Sequence, residues 1–115
     1  MELQIMGRKN CRETRRVERY FKERGIDFQF RDLIDKGLSS GELDNICRDH
    51  SPGDLIDTEG KAYSKGGYSY LEYDPAEEIL EHPDLLITPI VRWKHLVSVG
   101  RDEDAWSRIA EALRS

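Results

Sequence analysis

The pattern of apolar and polar positions at the start of the chain predicts a strand followed by a helix. Leu3 to Met6 form an apolar run typical of a short buried strand. After a polar break, residues 11–24 show helical periodicity, with Val17 and Phe21 four residues apart on one face. Gly25 is a typical residue just beyond a helix C-terminus. We therefore expect a short strand and then an amphipathic helix.

After Gly25, apolar and polar residues alternate instead of following a helical period, and this alternation predicts a second strand. Phe28 and Phe30 alternate with Gln29 and Arg31, as in a strand with one buried face. Strand, helix and strand in close succession form a βαβ unit, whose strands are parallel and whose connection is right-handed.

The middle of the chain carries signals for two short helices. Ser39 or Ser40 is a predicted N-cap of the first, with an acidic residue near its first turn. Asp74 is the predicted N-cap of the second, which runs from Pro75 to Glu81. Between them glycine and proline interrupt every period, and only one further short helical stretch, Asp54 to Thr58, is predicted.

The last part of the chain returns to strand patterns. Residues 89–91 and 96–99 are apolar and flank a turn at residues 93–95, which predicts an antiparallel hairpin. Gly100 ends the hairpin, and Asp102 is placed to open a final helix.

Together these elements predict an α/β fold in a single domain. The expected order is β-α-β, then β-β-α, which gives a small mixed four-stranded sheet with a helical insertion at about residues 38–84. A chain of 115 residues has room for one hydrophobic core, so we expect one domain over residues 1–115.

Composition excludes several classes of protein. No apolar run approaches the length that crosses a membrane, and the N-terminus lacks the pattern of a signal peptide, so we expect no membrane partner. Two cysteines are too few for a disulfide framework, which favours a reducing cytoplasmic location. The net charge of −5 argues against direct binding of nucleic acid.

Charge is distributed unevenly along the chain. Residues 8–24 contain eight basic and three acidic side chains, a local charge of +5, so the remainder carries −10. A basic segment of this kind attracts an anionic ligand or an acidic protein surface. The alternative is that these arginines form only the solvated face of a helix.

Cys11 stands where the predicted first helix begins and is the candidate for chemistry. Asn10 is a predicted N-cap, because its side-chain oxygen can accept from a free backbone N–H of the first turn. The uncovered N–H groups and the nearby arginines favour a thiolate at this position, and the thiolate is the reactive form. The alternative is that Cys11 is a small core residue.

Cys47 and the three histidines are weaker candidates for a functional site. Cys47 shares a helical face with Leu43 and Ile46, which predicts an inert core thiol. The histidines are scattered without ligand spacing and neither cysteine belongs to a paired motif, so we expect no metal.

Three segments of the chain resemble the arsenate reductase (ArsC) and Spx family, whose fold is thioredoxin-like. They are NCRETR at the first helix, YFKERGIDFQFRDLIDKGLSSGEL through the second strand, and LLITPIVRWKHLVSVGRDEDAW at the end. The resemblance implies that Cys11 is the nucleophile, that Arg15 assists it, and that Pro89 follows a cis peptide bond and shapes the pocket beside the thiol. It also implies that Arg101 helps to bind an oxyanion.

The chain departs from the family at three positions. Thr14 replaces the second thiol of the CxxC motif found in redox-switch members, so no intrahelical disulfide can form; its hydroxyl can instead donate to a Cys11 thiolate. Thr88 stands before Pro89, where the reductases carry an arginine, and Asp57 stands where another arginine is expected. With two of three oxyanion-binding arginines replaced, the sequence argues against arsenate reduction.

These observations lead to one preferred function and two alternatives. We expect a thiol-dependent oxidoreductase whose single thiolate, Cys11, forms a mixed disulfide, with Asn10, Arg12 and Arg101 binding the anion. Its substrate would be a small thiol or an oxyanion, with glutathione as a co-substrate and no bound cofactor. The alternatives are a Spx-like regulatory protein that docks on RNA polymerase, and a family member without catalytic activity.

Overall fold

The computed structural model describes residues 2–115, which divide into two compact units. We call residues 2–32 together with 88–115 the strand unit, and Leu33–Ile87 the helical unit. Each unit is described by itself. No helix among residues 2–115 is long and apolar enough to cross a membrane.

The strand unit contains the whole sheet and the two longest helices. Its elements are β1 (Leu3–Gly7), α1 (Arg12–Glu23), β2 (Phe28–Asp32), β3 (Ile90–Trp93), β4 (Leu96–Val99) and α5 (Glu103–Arg114). The strand order is β2-β1-β3-β4, with β2 parallel to β1 and both other pairs antiparallel. This mixed sheet with its βαβ and ββα halves confirms the thioredoxin-like fold that the sequence predicts.

One hydrophobic core holds the strand unit together. Leu3 and Ile5 point from the central strand β1 to the side where Val17 and Phe21 of α1 lie. Trp106 of α5 is fully buried in the same cluster, and Tyr20 contacts it with ring centroids 5.6 Å apart. Because α1 is fixed by its buried face, the position of its first turn relative to β1 and β3 is fixed as well.

The helical unit is built from short elements. They are α2 (Ser40–Ile46), α3 (Lys61–Lys65), α4 (Pro75–Glu81) and three single-turn 3₁₀ segments, Pro52–Leu55, Tyr68–Tyr70 and Pro83–Leu85. Ser39 caps α2 in a reciprocal capping box with Glu42, and Asp74 caps α4, as the sequence predicts. These helices lie within the predicted insertion apart from one residue, while the expectation of a single domain over the whole chain stays a prediction.

The structure corrects three details of the sequence prediction. The N-cap of α1 is Cys11 rather than Asn10, because the turn closes one residue later, with Cys11 N–H donating to the Arg8 carbonyl at 3.0 Å. The helical stretch expected at Asp54 to Thr58 is instead the 3₁₀ turn Pro52–Leu55, since proline starts it at its first position. Cys47 is half-buried at the C-cap of α2 and is therefore not a core thiol.

Candidate thiol site of the strand unit

Cys11 is held at the N-cap of α1 by local geometry. Its backbone is extended (φ −89°, ψ 119°), and its carbonyl accepts the first helical hydrogen bond from Arg15 N–H at 3.2 Å. The side chain is half-buried and free of any disulfide. The sulfur therefore lies at the end of the helix where backbone N–H groups have no intrahelical partner.

Thr88, 77 residues away in sequence, supplies the tertiary contact to this sulfur. Its hydroxyl donates to Cys11 Sγ at 3.1 Å, and its carbonyl oxygen lies 3.8 Å from the same atom, where it accepts from the protonated thiol. The Thr88–Pro89 peptide bond is cis, as the resemblance implies. Thr88 comes just before β3, which pairs with β1, so the sheet brings it to the start of α1.

The pKa of Cys11 is lowered from its ordinary value of 9.0. Burial is the largest single influence and raises the pKa, but the Thr14 and Thr88 hydroxyls and the backbone N–H groups of Thr14 and Glu13 together outweigh it. The thiol form accepts none of these N–H bonds within ordinary hydrogen-bond limits. These N–H groups therefore act mainly on the ionised form, as charge develops on the sulfur, whereas the Thr88 hydroxyl already donates to it.

Thr14 is fully buried, and its hydroxyl has no hydrogen-bond partner among residues 2–115 in the thiol form. The side chain lies directly against Gly7, where an added Cβ would overlap the Thr14 hydroxyl. A buried donor without a partner is costly. A Cys11 thiolate would be an acceptor for this hydroxyl, in agreement with the contribution of Thr14 to the lowered pKa of Cys11.

Arginine side chains line a cavity at the start of α1. This arginine cavity has a volume of about 360 Å³ and is lined by Asn10, Arg12, Arg15, Arg16 and Arg19. Cys11 lies in the chain between two of these lining residues. Arg15 is anchored to the preceding loop because its Nε donates to the Lys9 carbonyl at 3.1 Å.

The predicted site residues thus separate into two groups. Thr14 and Thr88 act on the Cys11 sulfur, whereas Asn10, Arg12 and Arg15 line the arginine cavity. Arg101 belongs to neither group.

Arg101 forms ion pairs with acidic side chains. Its Nε lies 3.8 Å from the Glu13 carboxylate, and its Nη2 lies 3.3 Å from the Glu103 carboxylate. Glu13 also pairs with Arg16 at 3.2 Å. The role of Arg101 in anion binding stays a prediction, and a bound anion would compete there with two carboxylates.

Sequence reasoning missed Arg8 and Glu13. Arg8 Nη2 donates to Thr88 Oγ1 at 3.4 Å, which directs the Thr88 hydroxyl proton towards Cys11 Sγ. Arg8 belongs to the basic segment that the sequence singles out, but its partner is 80 residues away and no local pattern reveals it. Glu13 could have been noticed as a carboxylate two residues after the cysteine.

The helical unit holds one group of potential metal ligands. The carboxylates of Glu78 and Glu81 and a ring nitrogen of His82 lie within 4.8 Å of one another at the end of α4. Two of the three side chains are exposed, and exposed acidic groups are common without an ion. Proximity alone therefore does not make this group a metal site.

Comparison with known proteins identifies relatives over most of the chain. The model of the ArsC family matches residues 6–109. Global transcriptional regulator Spx 2 of Oceanobacillus iheyensis is 31% identical over 110 residues, covering 90% of this chain and 80% of that protein. Global transcriptional regulator Spx of Bacillus subtilis is 29% identical over 101 residues, covering 83% and 76%.

Solved structures show the same fold. An arsenate reductase from Vibrio cholerae superposes with a TM-score of 0.78 at 18% identity, covering 95% of this chain and 98% of that chain. An arsenate reductase (ArsC) related protein from Brucella melitensis gives a TM-score of 0.69 at 22% identity, covering 94% and 93%. At these identities the likeness concerns the fold.

Proposed function

This chain belongs to the ArsC family, and on that premise we propose that it is a thiol-dependent oxidoreductase with Cys11 as its single nucleophile. The observation that carries the proposal is the position of Cys11 Sγ at the N-cap of α1, with the Thr88 hydroxyl donating to it at 3.1 Å and its pKa lowered. A thiolate is both the nucleophile and the leaving group of disulfide exchange.

The reaction proceeds in two exchange steps. The Cys11 thiolate attacks one sulfur of a disulfide such as oxidised glutathione, a Cys11–S–S–R bond forms, and the other sulfur leaves as a thiolate. An external thiolate then attacks the mixed disulfide, releases Cys11 as thiolate and carries R away in a new disulfide. The resolving thiol is taken to be external because Thr14 stands where the second thiol of a CxxC motif would be, so α1 offers Cys11 no partner.

The residues around the sulfur have distinct roles in this proposal. Thr14 and Thr88 stabilise the thiolate both before attack and after resolution, when charge returns to the sulfur. Arg12 and Arg15 attract the carboxylates of an anionic thiol. Arsenate is a poorer candidate substrate, since Thr88 precedes Pro89 and Arg101 is paired with Glu13 and Glu103.

Incubation with oxidised glutathione tests the proposal. The wild type and Cys47→Ser are expected to acquire one glutathione adduct, mapped to Cys11 by mass spectrometry, which added free thiol removes. Cys11→Ser should acquire none at a comparable rate. Absence of an adduct, or equal modification of both cysteines in the native protein, would contradict the proposal and favour a family member without catalytic activity.

A regulatory function is the second candidate, favoured by the two curated relatives that are named global transcriptional regulators. In this alternative the chain docks on RNA polymerase in the cytoplasm, and the thiol chemistry is secondary. The measurement is binding of the purified chain to purified RNA polymerase. Specific binding that Cys11→Ser leaves unchanged would favour docking, and its absence would leave the oxidoreductase as the better account.

A further inference from the structure

The strongest charged feature that the exchange mechanism does not fully use is the exposed face of α1. Arg12, Arg15, Arg16 and Arg19 follow one another at spacings of three, one and three residues, so they lie on one face of the helix. The opposite face carries the buried side chains Thr14, Val17 and Phe21. We call the four arginines the arginine stripe.

The stripe extends away from the thiol. At a rise of 1.5 Å per residue, the backbone from Arg12 to Arg19 spans about 10 Å. Arg12 and Arg19 are exposed and have no ion-pair partner among the described residues, and Glu23 bounds the stripe one turn beyond Arg19. The cavity along the stripe is lined only by polar side chains, so its ligand is recognised by charge.

The number of guanidinium groups sets the charge of the ligand. Each guanidinium can pair with one carboxylate through two parallel hydrogen bonds. Arg12 and Arg19 have no ion-pair partner among the described residues. Arg16 pairs with Glu13 and Arg15 donates its Nε–H to the Lys9 carbonyl, but each guanidinium has further N–H donors for a ligand. A ligand with one net negative charge therefore leaves most of the stripe unneutralised, while two or three carboxylates in sequence match it.

Charge also distinguishes between classes of macromolecule. The strand unit has 14 basic and 10 acidic side chains, a net charge of +4, while the helical unit has 4 and 13, a net charge of −9. DNA carries one negative charge per about 1.7 Å along its length. A chain with a net charge of −5 would repel it. A short acidic peptide segment meets the stripe with far less long-range repulsion.

We propose that the arginine stripe selects the substrate of Cys11: a cysteine, oxidised as a disulfide, within an acidic segment of a partner polypeptide. An extended segment advances about 3.3 Å per residue, so three or four residues beside the reacting cysteine span the stripe. The acidic side chains pair with Arg12, Arg16 and Arg19 while the disulfide meets Cys11 Sγ. This inference rests on the proposed function, because it names the substrate class of the same thiol.

The test uses three synthetic peptides that differ only in charge. Each carries one cysteine activated as a 2-pyridyl disulfide and flanked by Asp and Glu, by Ser and Asn, or by Lys. The Cys11 thiolate attacks the peptide sulfur, the peptide–Cys11 disulfide forms, and pyridine-2-thiolate leaves, takes up a proton and is measured by absorbance. At low salt the acidic peptide should react about tenfold faster than the neutral one, and the basic peptide more slowly. The preference should collapse at high salt because exposed charges are then screened.

Variants locate the preference on the stripe. R16Q/R19Q should reduce the ratio of acidic to neutral rates to about threefold or less, and R16K/R19K should retain most of it because charge is preserved. R108Q, an exposed arginine on α5, is the matched control and should leave the ratio unchanged.

Failure of this inference and failure of the proposed function would give different experimental results. Equal rates for all three peptides, or an unchanged ratio in R16Q/R19Q, would overturn the inference while leaving the exchange reaction of Cys11 intact. Competition by a short DNA duplex stronger than that by the acidic peptide would make the stripe a nucleic-acid surface and also overturn it. Failure of Cys11 to react with any peptide disulfide would contradict the proposed function itself. The rates of the three peptides with the wild-type protein test the preference for an acidic segment even where a variant does not fold.

Discussion

The two cysteines of this chain are both half-buried at the end of a helix, yet their ionisation is shifted in opposite directions. Cys11 is the N-cap of α1, and its pKa lies below 9.0; Cys47 is the C-cap of α2, and its pKa lies above 9.0. Burial raises the pKa in both cases and is the largest influence in each. The difference must therefore come from the neighbours of each sulfur.

Those neighbours follow from the polarity of the helix. At the N-cap, backbone N–H groups and two hydroxyls favour negative charge on Cys11 Sγ. At the C-cap, the Cys47 N–H is already bonded to the Leu43 carbonyl at 2.9 Å, and the Asp44 carboxylate further opposes ionisation. Ionisation of the same side chain is thus favoured at one helix end and opposed at the other.

The largest expected effect is the contrast between the two alkylation rates. At neutral pH, iodoacetamide should modify Cys11 on the order of tenfold faster than Cys47, because the thiolate is the reacting species. As pH rises, the Cys11 rate should level off below pH 9.0 and the Cys47 rate above it, following the signs of the two pKa shifts. Quantitative mass spectrometry of both cysteines across pH 6–10 measures this, with urea-unfolded protein as the control. If the alkylation rates of Cys11 and Cys47 in the native protein depended on pH in the same way, the opposite shifts of their pKa values would be contradicted.

Thr14→Val should reduce the difference between the two alkylation rates by slowing the alkylation of Cys11. Loss of the buried hydroxyl removes a hydrogen bond to the thiolate, so the alkylation rate of Cys11 at neutral pH should fall by roughly three- to tenfold. Stability should be unchanged or higher, because the variant also removes a buried donor that has no partner in the thiol form. Alkylation and urea unfolding are measured on the same sample. Thr58→Val, at an exposed threonine, should change neither quantity.

Arg8→Gln should have a smaller effect, since Arg8 donates to the Thr88 hydroxyl, which in turn donates to the sulfur. We expect the Cys11 alkylation rate to fall by about two- to threefold, which corresponds to one weakened hydrogen bond in a partly exposed site. In a Thr88→Val background the same substitution should have no further effect, because the intermediary is gone. Additive effects in this double-mutant cycle would show that Arg8 acts on Cys11 independently of Thr88. Arg108→Gln serves as the control.

Asp44→Asn tests the cause of the raised pKa of Cys47 and should give the smallest of these effects on an alkylation rate. Removing the carboxylate leaves burial as the remaining cause of the raised pKa of Cys47, so its alkylation rate should rise by about twofold or less. The Cys11 profile should stay the same. A larger rise would mean that charge, rather than burial, dominates at Cys47.

Local pattern was sufficient for much of the fold. Helical and alternating periods predicted the strands and helices of the strand unit, and Ser39 and Asp74 were recognisable caps because a cap involves residues within one turn. The exact N-cap was off by one residue, since whether Asn10 or Cys11 ends the turn depends on backbone angles that both residues can adopt. The burial of Cys47 was overestimated because it lies where the helix ends.

The sequence by itself determined that a cysteine opens the first helix, that a basic segment surrounds it, and that a threonine replaces the second thiol of the related motif. These are properties of neighbouring residues, and periodicity and residue chemistry reveal them. Only the tertiary structure decided which distant groups face the sulfur. Thr88 reaches Cys11 because β3 pairs with β1, Arg8 orients Thr88 across 80 residues, and Arg101 is occupied by Glu13. Contacts of this kind depend on strand pairing and core packing, which no stretch of the chain encodes alone.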